Sequence, residues 1–178
     1  MTNFIIIPEG LSIDKKDIVV ASFVYRQVID HLYKIISPGD ELYFAPANNF
    51  GTSYYEQELG ITYFKKISSN YNDYKLFTSK TYNKNYVDTL GNAVLLLNKY
   101  PHLKNCTTEL VCSEIHSKRS YLCFNMTGYK IEKIHKVKIT IENEKIVKRL
   151  WYYKYCNVHS LYEKFAYIMD LIRLKILI

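Results

Sequence analysis

Residues 4–10 read Phe4-Ile5-Ile6-Ile7-Pro8-Glu9-Gly10, an unbroken apolar run closed by a proline, an acid and a glycine. A run that is apolar at every position fits a strand buried on both faces, and Pro8-Glu9-Gly10 fits the turn that ends it. Strands of that kind belong to parallel sheets with helices on both sides. Downstream the same theme repeats. Val20, Val24, Val28 and Leu32 draw one apolar face and predict a helix over 17–36, stopped by Ser37-Pro38-Gly39-Asp40. A strand is expected over 42–45, then a loop over 46–51. A helix follows over 53–67, where Ser53 and Glu56 have capping-box spacing. A third strand over 74–78 leads into a polar loop over 79–86. Asp88 can cap a helix running to Tyr100. A fourth strand is read at 108–112, and Ser113 can cap a helix that carries His116 and Arg119 and ends at Gly128. Two further strands are expected at 129–134 and 137–141, and a strongly apolar helix over 159–178.

Strand–helix alternation of this sort defines an α/β fold in three layers, with a mainly parallel sheet between helices and right-handed crossovers. Composition agrees. The chain has 178 residues, of which 48% are hydrophobic, enough for one core and too many for a disordered chain. It is read as one domain over 1–178 with a C-terminal helical extension from about 142 to 178. Six glycines and four prolines argue against a many-turned β-sandwich. Net charge is +7, which permits anionic partners without calling for nucleic acid. The basic and aromatic stretch over 145–154 reads as a partly buried terminal element with solvated lysines. No apolar run is long enough to span a membrane, and the apolar run at the start is too short for a signal peptide. A soluble, non-exported, cytoplasmic protein is therefore expected. The four cysteines have no C-x-x-C spacing, and the five histidines form no metal-binding pattern. No G-x-G-x-x-G fingerprint and no G-x-S-x-G elbow is present.

In sheets of this class, ligands bind beyond the carboxyl ends of the strands, where strand order reverses. That places a site on the loops after Ile7, Ala45, Thr78 and Cys112. Gly10 follows the first strand. Asn48 and Ser53 belong to a small, polar segment after the second, ending at a helix start that suits an anion. Asp88, Thr89 and Asn92 open the helix after the third; Asp88 and Asn92 are four apart and share a face. Ser113, His116 and Arg119 follow the fourth, joining helix amides, an imidazole and a guanidinium around one anion.

Two of these segments carry a resemblance. Val87-Asp88-Thr89-Leu90-Gly91-Asn92-Ala93 resembles the Thr-x-x-Asn-Ala segment of the YdcF/SanA-like family, bacterial domains of largely unknown function. Leu110-Val111-Cys112-Ser113-Glu114-Ile115-His116-Ser117-Lys118-Arg119-Ser120 resembles its His-x-x-Arg segment, with Gly128 where that family has a glycine. Glu56 would be the acid of its second element. The similarity spans about residues 3–135. The family's paired glycines after strand one are Glu9-Gly10 here, and its Ser-Gly-Gly after strand two is Ala45-Pro46-Ala47-Asn48. The resemblance implies a Rossmann-like fold, a role in envelope physiology and, in one branch, S-adenosylmethionine as a ligand.

Three functions follow as expectations. The first is an enzyme acting on a phosphorylated or nucleotide-like small molecule. In it Arg119 grips the anion, His116 transfers the proton, and Asp88 or Glu56 orients it. The second is a binder of S-adenosylmethionine or a nucleotide without chemistry. The third is an interaction or immunity-type protein that has lost the site. Leu161, Phe165, Ile168, Ile172 and Ile176 recur at helical spacing, so the last helix is expected to pack in the domain or at a homodimer interface.

Overall fold

The computed structural model describes residues 1–79 and 86–177. At its centre is a five-stranded sheet in the order β5-β4-β1-β6-β7. These strands are Lys75–Thr78, Glu41–Phe44, Asn3–Ile6, Thr107–Ser113 and Lys130–Val137, and every pairing is parallel. Strand order reverses between β1 and β6, as in a Rossmann-like sheet.

The apolar run at the start works as a doubly buried strand should. Phe4 and Ile6 face α1 (Phe23–Ile35) and α2 (Glu56–Ile67), packing with Tyr25, Val28, Ile29, Leu32 and Phe64. Ile5 and Ile7 face the other layer, α3 (Thr89–Lys99) and α4 (Ser117–Thr127), with Leu90, Ala93, Leu96, Cys123 and Phe124. Neighbouring side chains on one strand point to opposite faces, so an alternation of core partners is what the pleat requires.

Four sequence expectations need correction. The helix expected from residue 17 begins only at Phe23. Before it, β2 (Leu11–Ile13) and β3 (Val19–Ala21) form an antiparallel hairpin. The Asp14 carboxylate accepts the amides of Lys16 and Ile18 and turns the chain, while Ser22 caps α1 by accepting from Tyr25 N–H at 3.1 Å. Apolar β-branched residues at 18–20 gave the stretch a helical period, but pairing with β2 decides its state. In the second correction, α2 starts three residues later than expected, and Glu58, not Glu56, returns to the cap, accepting from Tyr55 N–H at 3.2 Å. Third, the two late strands are one, β7, with a register shift opposite Thr108 and Glu109; residues 138–141 lie outside it. Fourth, Ser113 ends β6, so α4 begins at Ser117 with His116 as its N-cap. Gly128 ends α4 in the left-handed region, as read.

The extension adds β8 (Lys145–Ile146), which joins the hairpin in a second sheet of order β3-β2-β8. A 3₁₀ segment, Lys148–Lys154, follows, and its Leu150 and Tyr153 are buried against Phe23 and Val24. Gly10 is what lets that segment close. Its φ is +93°, and a Cβ there would stand 2.7 Å from Leu150 Cδ1. Helix α5 (Cys156–Leu177) then lies along α4. No helix among the described residues is long and apolar enough to cross a membrane.

The face of α5 turned to the domain is not the apolar stripe. His159, Glu163, Ala166, Asp170 and Leu174 point inward, whereas Leu161, Phe165, Ile168 and Ile172 are exposed, Leu161 at 69% and Phe165 at 63%. The expectation that this stripe packs inside the domain is thus overturned. A paired-charge network on α4 needs the polar face of α5, and it takes precedence. The side chain of Ile176 lies outside the described residues.

Candidate functional site

At the switch point the loop after β1 lies beside the loop after β6. Glu9, fully buried, bridges them: its Oε1 accepts the Ser113 N–H at 2.8 Å. Glu56, at the first turn of α2, makes a second bridge. Its Oε1 accepts from Gly10 N–H at 2.6 Å and its Oε2 from Asn48 N–H at 3.0 Å. Burial pushes the Glu56 carboxyl up to about 7, against the lowering effect of those two amides. Asn48 in turn ties the β4 loop to the start of α3, donating to Val87 O at 2.7 Å and accepting from Val87 N–H at 2.8 Å. Glu56, Gly10 and Asn48 therefore brace the loops. Each Glu56 oxygen accepts one of those amides, and its side chain also lines a cavity shared with His116.

His116 stands at the centre. Its Nε2 is 2.9 Å from Thr89 Oγ1, the first residue of α3, and its Nδ1 is 3.4 Å from Glu9 Oε1. Ser113 Oγ accepts the His116 amide at 3.4 Å and holds the turn. Burial opposes charge on the ring, but the carboxylates of Glu163 and Glu9 outweigh it and hold His116 above the ordinary histidine value.

Arg119 is one turn further along α4. Its Nε donates to Asp170 Oδ2 at 2.8 Å, and its Nη1 lies 3.5 Å from Glu163 Oε1. Burial disfavours its charge, yet Glu163 and Asp170 more than restore it. Asp170 thus fixes the inner edge of the guanidinium and Glu163 sits on its outer end. The second Glu163 oxygen is 3.9 Å from His116 Nε2, so this carboxylate stands between the imidazole and the guanidinium. Asp88 caps α3, accepting from Gly91 N–H at 2.9 Å, and its other oxygen pairs with Arg173 of α5. Asn92, with its amide oriented to suit its neighbours, donates to Pro46 O at 2.8 Å and Asp88 O at 2.9 Å.

These groups surround a cavity of about 40 Å³, lined also by Tyr152, Tyr153 and Tyr162 of the extension. Asn48, Glu56, Asp88, Thr89, Asn92, His116 and Arg119 all line it, so the structure brings together most of the residues read from sequence. Ser53 is exposed and outside the lining, since α2 begins after it. Gly10 lies beneath the 3₁₀ segment and outside the lining, as does Ser113, whose amide and hydroxyl serve Glu9 and the turn. Most of the polar loop expected over 79–86 lies outside the described residues.

Sequence reasoning missed Glu9, Glu163, Asp170 and His159. Glu9 reads as part of the Pro8-Glu9-Gly10 turn, and the structure places it in the loop after β1 at the switch point. The other three were hidden by the apolar stripe on the same helix. His159, Glu163 and Asp170 fall at spacings of four and seven, a polar face opposite that stripe, and this was the available signal. Among the eight buried side-chain atoms without a hydrogen-bond partner among the described residues are Glu9 Oε2, His116 Nδ1, His159 Nε2 and Glu163 Oε2. Buried polar atoms are almost always satisfied, so the two orphans on residues that line this cavity, His116 Nδ1 and Glu163 Oε2, mark a place for a polar occupant. Among the described residues, no group of three or more His, Cys, Asp or Glu side chains is arranged to hold a metal ion.

Compared with models of known families, with curated proteins and with solved structures, the chain matches none.

Proposed function

We propose that this chain is an enzyme acting on a phosphorylated or nucleotide-like small molecule, at the carboxyl edge of its parallel sheet. One observation carries the reading. The Glu163 carboxylate, itself an anion, rests between Arg119 and His116, at 3.5 Å and 3.9 Å, with one oxygen lacking a hydrogen-bond partner among the described residues. A group of the chain's own occupies the place a substrate's anionic group would take. Asp170 holds Arg119 from behind, so Nη1 is the end that reads the ligand. His116, held toward its charged form, is the proton-transfer group. The cavity of about 40 Å³ accommodates the reacting group only, so a whole nucleotide requires the cover formed by α5 and the 3₁₀ segment to lift.

The test is a thermal-shift screen with nucleotides, sugar phosphates, S-adenosylmethionine and inorganic phosphate on the parent chain and on Glu163→Gln. A ligand at 100 times its dissociation constant adds about 2.7 kcal/mol of stability. Removing the competing charge by Glu163→Gln is expected to tighten phosphate binding about tenfold, and Arg119→Lys to abolish the gain. A chain that ignores every phosphorylated compound in both forms refutes the reading. His116→Gln separates enzyme from binder: binding persists in both, whereas turnover is lost only in an enzyme. S-adenosylmethionine binding without turnover would instead support the non-catalytic binder, placed in the cytoplasm with the enzyme.

A second reading, of association between copies, is favoured by α5 alone. Val158, Leu161, Phe165, Ile168 and Ile172 recur at alternating steps of three and four, and all are exposed. That is the spacing of a coiled-coil seam.

A further inference from the structure

We infer that Glu9, His116 and Thr89 form a carboxylate–imidazole–hydroxyl relay in which Thr89 is the nucleophile of a phosphoryl transfer that passes through a covalent threonine intermediate. The inference rests on the proposed reading of the site as one for phosphorylated substrates, and it adds the reaction course and two residues to it.

The geometry has three parts. Thr89 Oγ1 and His116 Nε2 are 2.9 Å apart, the separation of an activated nucleophile and its base. His116 Nδ1 and Glu9 Oε1 are 3.4 Å apart, a looser contact of the sort that tightens when substrate arrives. Thr89 is the first residue of α3, so its oxygen stands at the positive end of that helix dipole, which favours an alkoxide. None of the three side chains is spare packing. Thr89 is 3% exposed, His116 6% and Glu9 0%, and Glu9 Oε2 and His116 Nδ1 are buried without a hydrogen-bond partner among the described residues. Burying an unsatisfied carboxylate oxygen beside an unsatisfied imidazole nitrogen costs stability and is characteristic of a site kept for chemistry.

The step balances as follows. Thr89 Oγ1 attacks phosphorus while its proton passes to His116 Nε2. The bond from phosphorus to the leaving oxygen breaks, and His116 returns the proton to that oxygen. Water then attacks the phosphothreonine, giving its proton to His116; the threonine oxygen leaves and takes the proton back, releasing inorganic phosphate. Arg119 Nη1 neutralises the phosphoryl oxygens once they displace the Glu163 carboxylate. Glu9 does not exchange protons with substrate; it is a positioning residue that sets the ring's orientation and basicity.

The His116 ring is faced by Glu9 from the β1 loop, Glu163 and His159 from α5, Arg119 from α4 and Glu56 from α2. The two nearest carboxylates raise its pKa, so activity should rise with pH along a limb lying above the ordinary histidine value of 6.5. Glu9→Gln keeps a carbonyl for the Ser113 amide but removes one of those charges, and should move the limb to lower pH by about one unit.

The experiment uses p-nitrophenyl phosphate with the full chain, in the parent and in Glu163→Gln, where the competing negative charge is removed. Release of p-nitrophenolate and intact mass after rapid acid quench are followed together. One phosphoryl group on Thr89, loss of turnover by about 100-fold or more in the isosteric Thr89→Val, and recovery within about tenfold in Thr89→Ser support the relay. Melting temperatures of all variants show that the fold persists. Turnover in Thr89→Val equal to the parent overturns the relay but leaves the proposed function standing, with water as the direct nucleophile. Arg119-dependent binding of inorganic phosphate without any p-nitrophenolate release also overturns it. Absence of both binding and turnover removes the relay together with the reading beneath it.

Discussion

Arg119 is the residue on which the described charge network turns. It neutralises two carboxylates of α5, and both Glu163 and Asp170 are buried with it. Removing one partner of a buried pair leaves the other charge uncompensated. Arg119→Ala is therefore expected to cost about 3–5 kcal/mol in urea denaturation. Adding Asp170→Asn to that variant should restore part of the loss, because the two share one interaction and their effects do not add. Strict additivity would show that Asp170 is stabilised by something other than Arg119. Gly10 makes a second residue-level case. Its left-handed φ and the 2.7 Å approach to Leu150 leave no place for a side chain, so Gly10→Ala is expected to destabilise by about 1–3 kcal/mol.

At the scale of elements, α5 carries two opposed faces. The inward face supplies Glu163 and Asp170 to Arg119 and Leu174 to the core of the α3–α4 layer. The outward face is apolar and exposed among the described residues. Deleting residues 156–178 should therefore lower the melting temperature and cause aggregation, since it strands Arg119 and uncovers core side chains. The outward face makes a separable prediction. If it is the seam between copies, Leu161→Asp with Phe165→Asp should convert a dimer to a monomer in analytical ultracentrifugation and leave melting of the monomer nearly unchanged. A parent chain that sediments as a monomer at all concentrations would refute the seam.

For the whole molecule, two buried groups pull stability in opposite directions with pH. Burial pushes Glu56 from 4.5 up to about 7, so its folded form holds a proton that the unfolded chain releases. Its contribution is complete below 4.5 and is lost as pH rises to about 7. Burial pulls His159, stacked on Tyr153, from 6.5 down to about 4. Its contribution is complete above 6.5 and is lost as pH falls towards 4. Each amounts to roughly 3 kcal/mol, and the two oppose each other between pH 4.5 and 6.5. Glu56→Gln should expose the histidine, giving stability that climbs with pH across that range; His159→Phe should expose the carboxyl, giving the reverse slope. Chemical denaturation at half-unit pH steps measures both, and parallel profiles for parent and variants would contradict the assignment.

What the sequence by itself determined is the layered frame and the edge where the site lies. The run Phe4–Ile7 is apolar at every position, α1 and α3 carry apolar periods, Asp88 caps α3, and Gly128 ends α4. Those signals are local: each arises from side chains a few positions apart, so they survive without knowledge of distant neighbours. His116, Thr89, Asn92 and Arg119 share one cavity because parallel strands deliver their loops to one edge. What only the tertiary structure decided are the partners of those residues. The hairpin of β2 and β3 exists because residues 11–13 and 19–21 pair, against the helical period of the second segment. Glu9 meets Ser113 and His116 across more than a hundred residues of sequence, through the β1–β6 pairing. Asp170 meets Arg119 because α5 turns its polar face inward, a choice that hydrophobicity along the helix argues against. That choice follows from the cost of an unpaired buried guanidinium, which outweighs leaving an apolar stripe in water.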